Sequence, residues 1–534
     1  MAQEQAHDAL GDELTTPQRS TGLVGFLVPV VLVAGLGVGG LFLYNQHVTV
    51  KEEVAKRAQK ARDKMYKHDV ASLEEAKKLY EEILDLDPGN QEANAALALT
   101  YYYLNDNGVA GSLDKARQHL QEAGDAETAS RYAAAAYLKV ADGKAAEAEA
   151  DVIKLFEQEI GAPVIAHAMG VALKAQGKFI EANRVIRSAQ ESAFSAVAFQ
   201  LTLAEIAHLQ GDDRAAVKQL RDITRDSMNP NHDLARSYLA ALQLKNYGNL
   251  TNPAQNIERA QKTKNFAARG EGMLLWAEGE LALAVGNADG AITKADEALK
   301  KMPDFAPLYD LQGRAHYALG RFKKAGEAYA KAADAKPAYR GPKWDLAELK
   351  SEQKDDAALA IVDELEKSAL GTKGPEYEIF RGDHALRKGE IEKAKEHYTK
   401  AAELGDNPDI LFGLAKVTFE EEKAKGNKAD IEKVGEALSL ALDKRRLYPE
   451  VHEYLGEISL WNYLVDGADA SYKTAEDQYK KLRRPIPEVV RFYDRVIGEF
   501  KGVKERKIKK AARKMAGAWG EKKREYLRSL SSAS

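Results

Sequence analysis

A spacing of 34 residues separates equivalent positions near the middle of this chain. Two glycines, an alanine and a proline recur at this distance: Gly279, Gly286, Ala291 and Pro303 return as Gly313, Gly320, Ala325 and Pro337. A fixed period of this length indicates repeats that cannot bury an apolar face alone and must stack on their neighbours. The spacing therefore predicts an extended array of repeats.

The composition agrees with a folded helical chain and excludes several kinds of site. Of the 534 residues, 45% are hydrophobic and 30% are charged, as in folded proteins. The sequence has no cysteine, which excludes disulfides, thiolate metal sites and cysteine nucleophiles. It also has no HExxH pair, Walker loop or GxSxG elbow. We therefore predict that the protein is not an enzyme and has no catalytic residues, metal ligands or cofactor.

The aligned positions of the repeats resemble the tetratricopeptide repeat (TPR) family. Its pattern places a small residue on the first helix, a glycine at the turn, small and large residues on the second helix, and then a proline. Four copies carry the pattern most fully, and they begin at Gly170, Gly279, Gly313 and Gly382. The resemblance implies an all-α, TPR-type helical-hairpin solenoid, a right-handed superhelix of about 10 to 11 repeats over residues 71–490. Residues 125–160 and 231–268 fit the pattern poorly and are predicted to be degenerate repeats.

The columns of this pattern have physical reasons. A small residue is needed where the two helices of a repeat approach closely, and a large one, such as Tyr329 or Tyr398, fills the space between neighbouring repeats. A turn glycine, such as Gly320 or Gly389, is expected to end the first helix in the left-handed conformation.

An uncharged stretch from Leu23 to Tyr44 precedes the repeats. Its 22 residues would span about 33 Å as a helix, enough to cross a bilayer core of about 30 Å. A cleaved signal peptide is the alternative, but the preceding tail is mainly acidic rather than basic. We therefore predict an acidic tail over residues 1–22, a transmembrane helix over 23–44 and a charged helical linker over 45–70.

Basic residues beside this stretch predict its orientation. Six Lys or Arg lie between residues 51 and 64, whereas only Arg19 and the terminal amine precede the stretch. The positive-inside rule places the repeats in the cytoplasm, with the periplasm as the alternative because large domains are translocated largely regardless of charge. With the resemblance to membrane-anchored bacterial TPR scaffolds, this predicts a single-pass protein of a bacterial inner membrane.

The first helices of the repeats line a concave groove in this family. Nine charged or aromatic residues are predicted to bind a partner there: Trp276, Glu280, Asp310, Arg314, Tyr317, Trp344, Glu348, Asp383 and Arg387. Exposed aromatic residues beside charges are typical interaction anchors, although packing of the two tryptophans between repeats is an equal alternative. Some family members hold an acidic peptide tail with Lys and Asn at set positions. Glu280, Arg314 and Asp383 stand at the matching positions here, so that mode is not supported.

Both ends of the chain offer further contacts. Residues 501–528 carry twelve Lys or Arg against three Glu, a net charge of +9, and we predict a capping helix and basic tail over 491–534. Such a tail, with Trp519 and Tyr526 among its cations, could hold nucleic acid or anionic lipid, but a solubilising end is favoured. Near the start, Gly35 and Gly39 have the spacing of a helix dimer contact, which offers self-association.

Together these features predict a membrane-tethered scaffold or adaptor that binds partner proteins in the concave groove. Its expected role is in the assembly or regulation of an envelope-associated complex. The alternative is an adaptor that acts on nucleic acid or anionic lipid through the basic tail, although a nucleic-acid partner is not expected.

Overall fold

The part of the chain that the structure describes is mainly helical. The computed structural model describes residues 37–158, 163–190, 197–225, 229, 232–246, 250–262, 267–335, 339–368, 370–371, 374–425, 431–484 and 486–531. These residues form 26 α-helices and no β-strand, which confirms the all-α prediction for them.

The helices belong to two compact units. Unit one comprises residues 1–206, 221–232 and 264–270, as far as they are described, and unit two comprises residues 207–220, 233–263 and 271–534. The first helices are α1 (Gly37–Met65), α2 (Val70–Leu86), α3 (Gln91–Asp106), α4 (Ser112–Glu122), α5 (Ala129–Ala141), α6 (Ala145–Gln158), α7 (Pro163–Ala175), α8 (Phe179–Gln190) and α9 (Val197–Leu209). All of these lie in unit one except the last three residues of α9.

Unit two contains most of the remaining helices. They are α10 (Asp213–Ile223), α11 (Asp233–Asn246), α12 (Thr251–Gln261), α13 (Ala268–Ala284), α14 (Ala288–Leu299), α15 (Ala306–Ala318), α16 (Phe322–Ala333), α17 (Arg340–Glu352), α18 (Ala357–Lys367), α19 (Glu376–Lys388), α20 (Ile391–Leu404), α21 (Pro408–Ala424), α22 (Ile431–Lys444), α23 (Pro449–Trp461), α24 (Val465–Lys481), α25 (Ile486–Gly502) and α26 (Lys509–Ser531). The end of α10 and the start of α13 belong to unit one.

Helices that follow each other in sequence pack together as hairpins. In unit two, α15 packs against α16, α19 against α20 and α21 against α22. Hairpins also form where the repeat pattern is weak, because α5 packs against α6 within residues 125–160 and α11 against α12 within residues 231–268. The predicted helical-hairpin architecture is therefore present within each unit.

The hairpin turns contain glycine in the left-handed conformation, as predicted. Gly320 ends α15 with φ +68°, and Gly389 ends α19 with φ +79°. A side chain is strained in this left-handed region, so glycine is favoured. The amide of Gly320 donates to the carbonyl of Tyr317 at 2.9 Å, and this bond closes the last turn of α15.

Glycine also permits close packing between helices. A Cβ atom on Gly382 would lie 2.9 Å from the ring of Tyr398 in the same hairpin, and one on Gly413 would lie 2.2 Å from it in the next hairpin. Gly313 faces Tyr329 in the same way, with a Cβ distance of 2.5 Å. The tyrosines thus fill the space that glycine leaves free, as the sequence predicts.

The predicted membrane span is wrong for the part of the chain that can be tested. Among the described residues, none of the helices has the length and apolar character needed to cross a bilayer. Only residues 37–44 of the predicted span belong to α1, which continues through charged residues from Lys51 to Met65. Residues 1–36, including Gly35 of the predicted dimer contact, lie outside the described residues. The prediction of a single-pass membrane protein is therefore wrong, and the predicted orientation fails with it.

The basic C-terminal segment forms the second helix of a hairpin. Helix α26 packs against α25, and Trp519 is 1% exposed beside the ring of Tyr472. Its indole Nε1 donates to Asp469 Oδ1 at 2.9 Å, and Lys523 Nζ lies 2.6 Å from Asp494 Oδ1. Because Trp519 is buried, its ring has no free face on which a nucleic-acid base could stack.

Candidate binding groove

A chain of buried charges runs through the most regular repeats in unit two. Trp276 on α13 is fully buried, and its indole Nε1 donates to Glu280 Oε1 at 3.0 Å. Arg314 on α15 donates to both oxygens of Glu280, with Nη1 3.0 Å from Oε2. The same guanidinium donates from Nε to Asp310 Oδ2 at 3.2 Å. Glu280 and Arg314 are 34 residues apart, so the repeat period itself places this ion pair across neighbouring repeats.

Lys245 on α11 joins this chain from a distant part of the sequence. Its Nζ donates to Asp310 Oδ2 at 3.1 Å and to the hydroxyl of Tyr339 at 2.7 Å. Burial opposes the charge on Lys245, but the carboxylate of Asp310 holds its pKa well above the usual value. Burial likewise opposes the charge on Asp310, yet Lys245 and Arg314 keep its pKa below the usual value. Both groups are therefore charged at neutral pH.

A third carboxyl, Asp345 on α17, faces the same network. Burial and the neighbouring charge of Asp310 raise the pKa of Asp345 to about 7. Oδ1 of Asp310 is buried and has no hydrogen-bond partner among the described residues. A side-chain hydrogen bond between Asp345 and Asp310 adds to the rise in the pKa of Asp345 and helps to lower that of Asp310, so the shared proton is held by Asp345.

A histidine–carboxylate pair lies beside Tyr339. Nδ1 of His208 hydrogen-bonds to Asp213 Oδ1, and Asn246 Nδ2 donates to Asp213 Oδ2 at 2.8 Å. The ring of His208 lies 4.8 Å from the Tyr339 ring and 5.9 Å from the Trp276 ring, measured between centroids. This cluster packs against Tyr339 and so helps to hold Tyr339 and Lys245 in position.

An open cavity of about 460 Å³ lies over this buried network. The guanidinium of Arg340 stands 5.7 Å from the centroid of the Trp344 ring and 3.5 Å from a carboxylate oxygen of Glu376. We call this open cavity the Trp344 cavity. Its lining residues are Gly211, Asp213, Lys245, Tyr339, Arg340, Gly341, Trp344, Asp345 and Glu376.

A second cavity of about 430 Å³ adjoins the first, because Trp344 and Glu376 line both. We call it the Phe412 cavity. Its other lining residues come from α17, α19, α21 and the segments beyond, and include Glu348, Ile379, Asp383, Phe412, Lys416, Arg445, Tyr448 and Glu450. The two cavities together are called the groove below.

Charged pairs organise the wall of the Phe412 cavity. Asp383 accepts hydrogen bonds from the hydroxyl of Tyr398 at 2.7 Å and from Lys416 Nζ at 2.9 Å. Lys416 Nζ also lies 4.4 Å from the centroid of the Phe412 ring, a cation–π distance. Glu348 pairs with Arg387 at 3.1 Å, although burial raises the pKa of Glu348.

The structure divides the nine predicted groove residues into three sets. Trp276, Glu280 and Asp310 are at most 2% exposed, and the partly exposed Arg314 bonds to both carboxylates. Trp344, Glu348 and Asp383 line the groove, with Arg387 as the partner of Glu348. Tyr317 lies apart from both cavities, where its hydroxyl donates to Glu352 at 2.7 Å. Whether any of the nine binds a partner stays a prediction.

Sequence reasoning missed several residues of the groove. Lys245 lies in a stretch that fits the repeat pattern poorly, so no aligned column pointed to it. Asp345 directly follows the predicted Trp344, and Arg445 pairs with Asp409 at 2.9 Å across 36 residues. That separation is close to one repeat, and it is a signal that could have found this pair.

Unit one buries a polar cluster of its own. The hydroxyl of Tyr137 lies 2.5 Å from Nδ1 of His167, whose Nε2 lies 2.9 Å from the hydroxyl of Thr202. The ring of His167 stacks on Phe199 with centroids 4.5 Å apart. Burial lowers the pKa of His167 to about 3, so the imidazole is neutral at neutral pH.

An ionic chain borders this cluster in unit one. Glu205 accepts hydrogen bonds from Lys174 at 2.5 Å and from Arg269, and Arg269 also contacts Asp106 at 2.6 Å. Burial opposes the charge of Glu205, but Lys174 and Arg269 lower its pKa to about 2. The cavity enclosed here has a volume of about 50 Å³, room for only a few water molecules.

Comparisons with known proteins give matches in solved structures alone. No family model matches the sequence, and no curated protein matches it. The human IFIT1 dimer with m7Gppp-AAAA is 16% identical, covers 78% of this chain and 99% of its own, and has a TM-score of 0.41.

Two further solved structures are similar over most of the chain. The APC/C hetero-tetramer Cut9–Hcn1 is 13% identical, with 92% of this chain and 98% of that chain covered and a TM-score of 0.40. Yeast Tom70 is 16% identical, with 90% and 97% covered and a TM-score of 0.32. At these TM-scores the matches carry no argument about function, and the helical-repeat fold rests on the hairpins described above.

Proposed function

We propose that this protein is a non-catalytic interaction scaffold that binds an extended segment of a partner protein in the groove of unit two. The observation that carries the proposal is the pair of adjacent cavities of about 460 and 430 Å³ that share Trp344 and Glu376. Aromatic side chains lie among charged ones along both, which is typical of surfaces that hold peptides.

The arrangement of the lining favours a chain-like ligand over a small molecule. Trp344 on α17, Ile379 on α19 and Phe412 on α21 follow each other along the groove, and these helices open three successive hairpins. Lys245 on α11 joins them from a more distant part of the sequence. An extended peptide presents a side chain or a backbone group at regular intervals, so it can contact each repeat in turn.

The absence of cysteine from the sequence allows a direct test. Ile379 lines the Phe412 cavity, so an Ile379→Cys variant provides a single thiol in the groove for attachment of fluorescein maleimide. Leu404, on α20, is 58% exposed and lines neither cavity, so Leu404→Cys with the same label is the matched control. Labelling after folding avoids any effect of the bulky group on folding itself.

The probe is a phage-displayed library of random twelve-residue peptides selected on the unlabelled chain. We expect the selected peptides to lose binding to the chain labelled at position 379 and to keep it on the chain labelled at position 404. Equal binding to both labelled chains, or no enrichment of any peptide, would contradict the proposal.

A further inference from the structure

The buried network of unit two has one more carboxyl than it has cations. Glu280, Asp310 and Asp345 share the two cations Lys245 and Arg314. Arg314 bridges Glu280 and Asp310, and Lys245 bonds to Asp310, so both cations are held by the first two carboxyls. Asp345 is left to share a proton with Asp310.

The wall of the Trp344 cavity shows the same imbalance. Its ionisable carboxyls are Asp213, Asp345 and Glu376, against the cations Lys245 and Arg340, a difference of one negative charge. The extra carboxyl of the network, Asp345, is thus also on the surface of the cavity. A further cation that enters here would meet a carboxyl without a cationic partner of its own.

The cavity also has the features that hold a ligand cation. Trp344 lines the cavity, and one cation of the chain, the guanidinium of Arg340, already lies 5.7 Å from the centroid of its ring. Asp310, which contacts Asp345 but does not line the cavity, is 1% exposed, and its Oδ1 has no hydrogen-bond partner among the described residues. A volume of about 460 Å³ is ample for one long side chain.

We propose that the Trp344 cavity receives a Lys or Arg side chain of the bound segment and that Asp345 pairs with its charge. This inference rests on the proposed function, since it names the kind of segment that the groove selects.

Proton release accompanies this pairing. Asp345 faces Asp310 and Arg314 on α15, Lys245 on α11 and Tyr329 on α16, with Arg340 and Glu376 on the same cavity wall. Because burial and Asp310 raise the pKa of Asp345, part of the molecules carry its proton near neutral pH. A ligand cation lowers this pKa, so binding is expected to release a fraction of a proton.

The test uses the peptides selected on the full chain and isothermal titration calorimetry at pH 7. Titrations in phosphate and in Tris, which have different ionisation enthalpies, measure the protons released. Asp345→Asn keeps the size of the side chain and its hydrogen bond to Asp310 but removes the charge. Asp363→Asn, in a pair with Arg381 outside both cavities, is the matched control.

We expect the selected peptides to be enriched in Lys or Arg, and replacement of one such residue by Met to weaken binding about tenfold. Asp345→Asn is expected to weaken binding of the same peptides about tenfold and to abolish proton release, whereas Asp363→Asn changes neither. Peptides that the label at position 379 blocks but that need no basic residue would overturn this inference and leave the proposed function intact. So would an Asp345→Asn chain with unchanged affinity and proton release.

Discussion

The two units bury similar polar residues with different charge balances. In unit one, two carboxylates meet two cations, the pKa of Glu205 is lowered to about 2, and the enclosed volume is about 50 Å³. In unit two, three carboxyls meet two cations, the pKa of Asp345 is raised to about 7, and an open cavity of about 460 Å³ lies beside it. Removal of one member of a balanced buried network destabilises a fold because it leaves a buried charge unpaired, whereas an unbalanced network beside an open cavity leaves room for a ligand's charge.

The largest expected effect comes from unbalancing the closed network. Glu205→Gln leaves Lys174 and Arg269 without their shared carboxylate, so we expect unit one to lose about 3 kcal/mol of stability. Hydrogen exchange of α7 and α9, measured by mass spectrometry, reports the change. Glu181→Gln at an exposed position of α8 is the control. If the two variants behave alike, the network of unit one is not a stabilising one.

Asp345→Asn should have the opposite effect in unit two. The pKa of Asp345 is raised in the folded chain, so its contribution to stability is full below pH 4 and is lost as the pH rises through about 7. The asparagine amide donates to Asp310 at every pH. We expect the variant to be more stable than the parent chain by about 2 kcal/mol at pH 8 and nearly equal to it at pH 4. Chemical denaturation followed by exchange of α15 and α17 measures this. A variant that is less stable at pH 8 would show that Asp345 is already paired.

His167 of unit one is expected to give a smaller dependence of stability on pH, in which stability is lost as the pH falls rather than as it rises. The pKa of His167 is lowered to about 3, so its contribution is present above pH 6.5 and is lost as the pH falls. Between pH 7 and pH 5.5 the loss should be about 1 kcal/mol. The stability difference between the parent chain and His167→Gln should therefore shrink over this range. A constant difference would mean that His167 is not held neutral by burial.

Turns and packing contacts within a repeat or between adjacent repeats were predicted from the sequence. Hydrogen bonds between residues far apart in the sequence were missed. The left-handed turns at Gly320 and Gly389 and the packing of Tyr398 on glycine follow from contacts within a repeat or between adjacent repeats, and they are confirmed. Lys245 bonds to Asp310 across 65 residues and to Tyr339 across 94, and no repeat column signals such pairs.

The incorrect predictions have physical causes too. Trp276 is not one of them, because its burial, with the indole bonded to Glu280 and close to His208, agrees with the packed alternative that the sequence left open. The membrane span was inferred from the lack of charge over residues 23–44, whereas α1 combines the last eight of these residues with a charged helix.

The most direct test of the account compares hydrogen exchange in both units with and without a selected basic peptide. We expect the peptide to slow exchange in α17, α19 and α21, which line the groove, and to leave α5, α7 and α9 of unit one unchanged. Slower exchange confined to unit one, with the groove helices unaffected, would contradict the account.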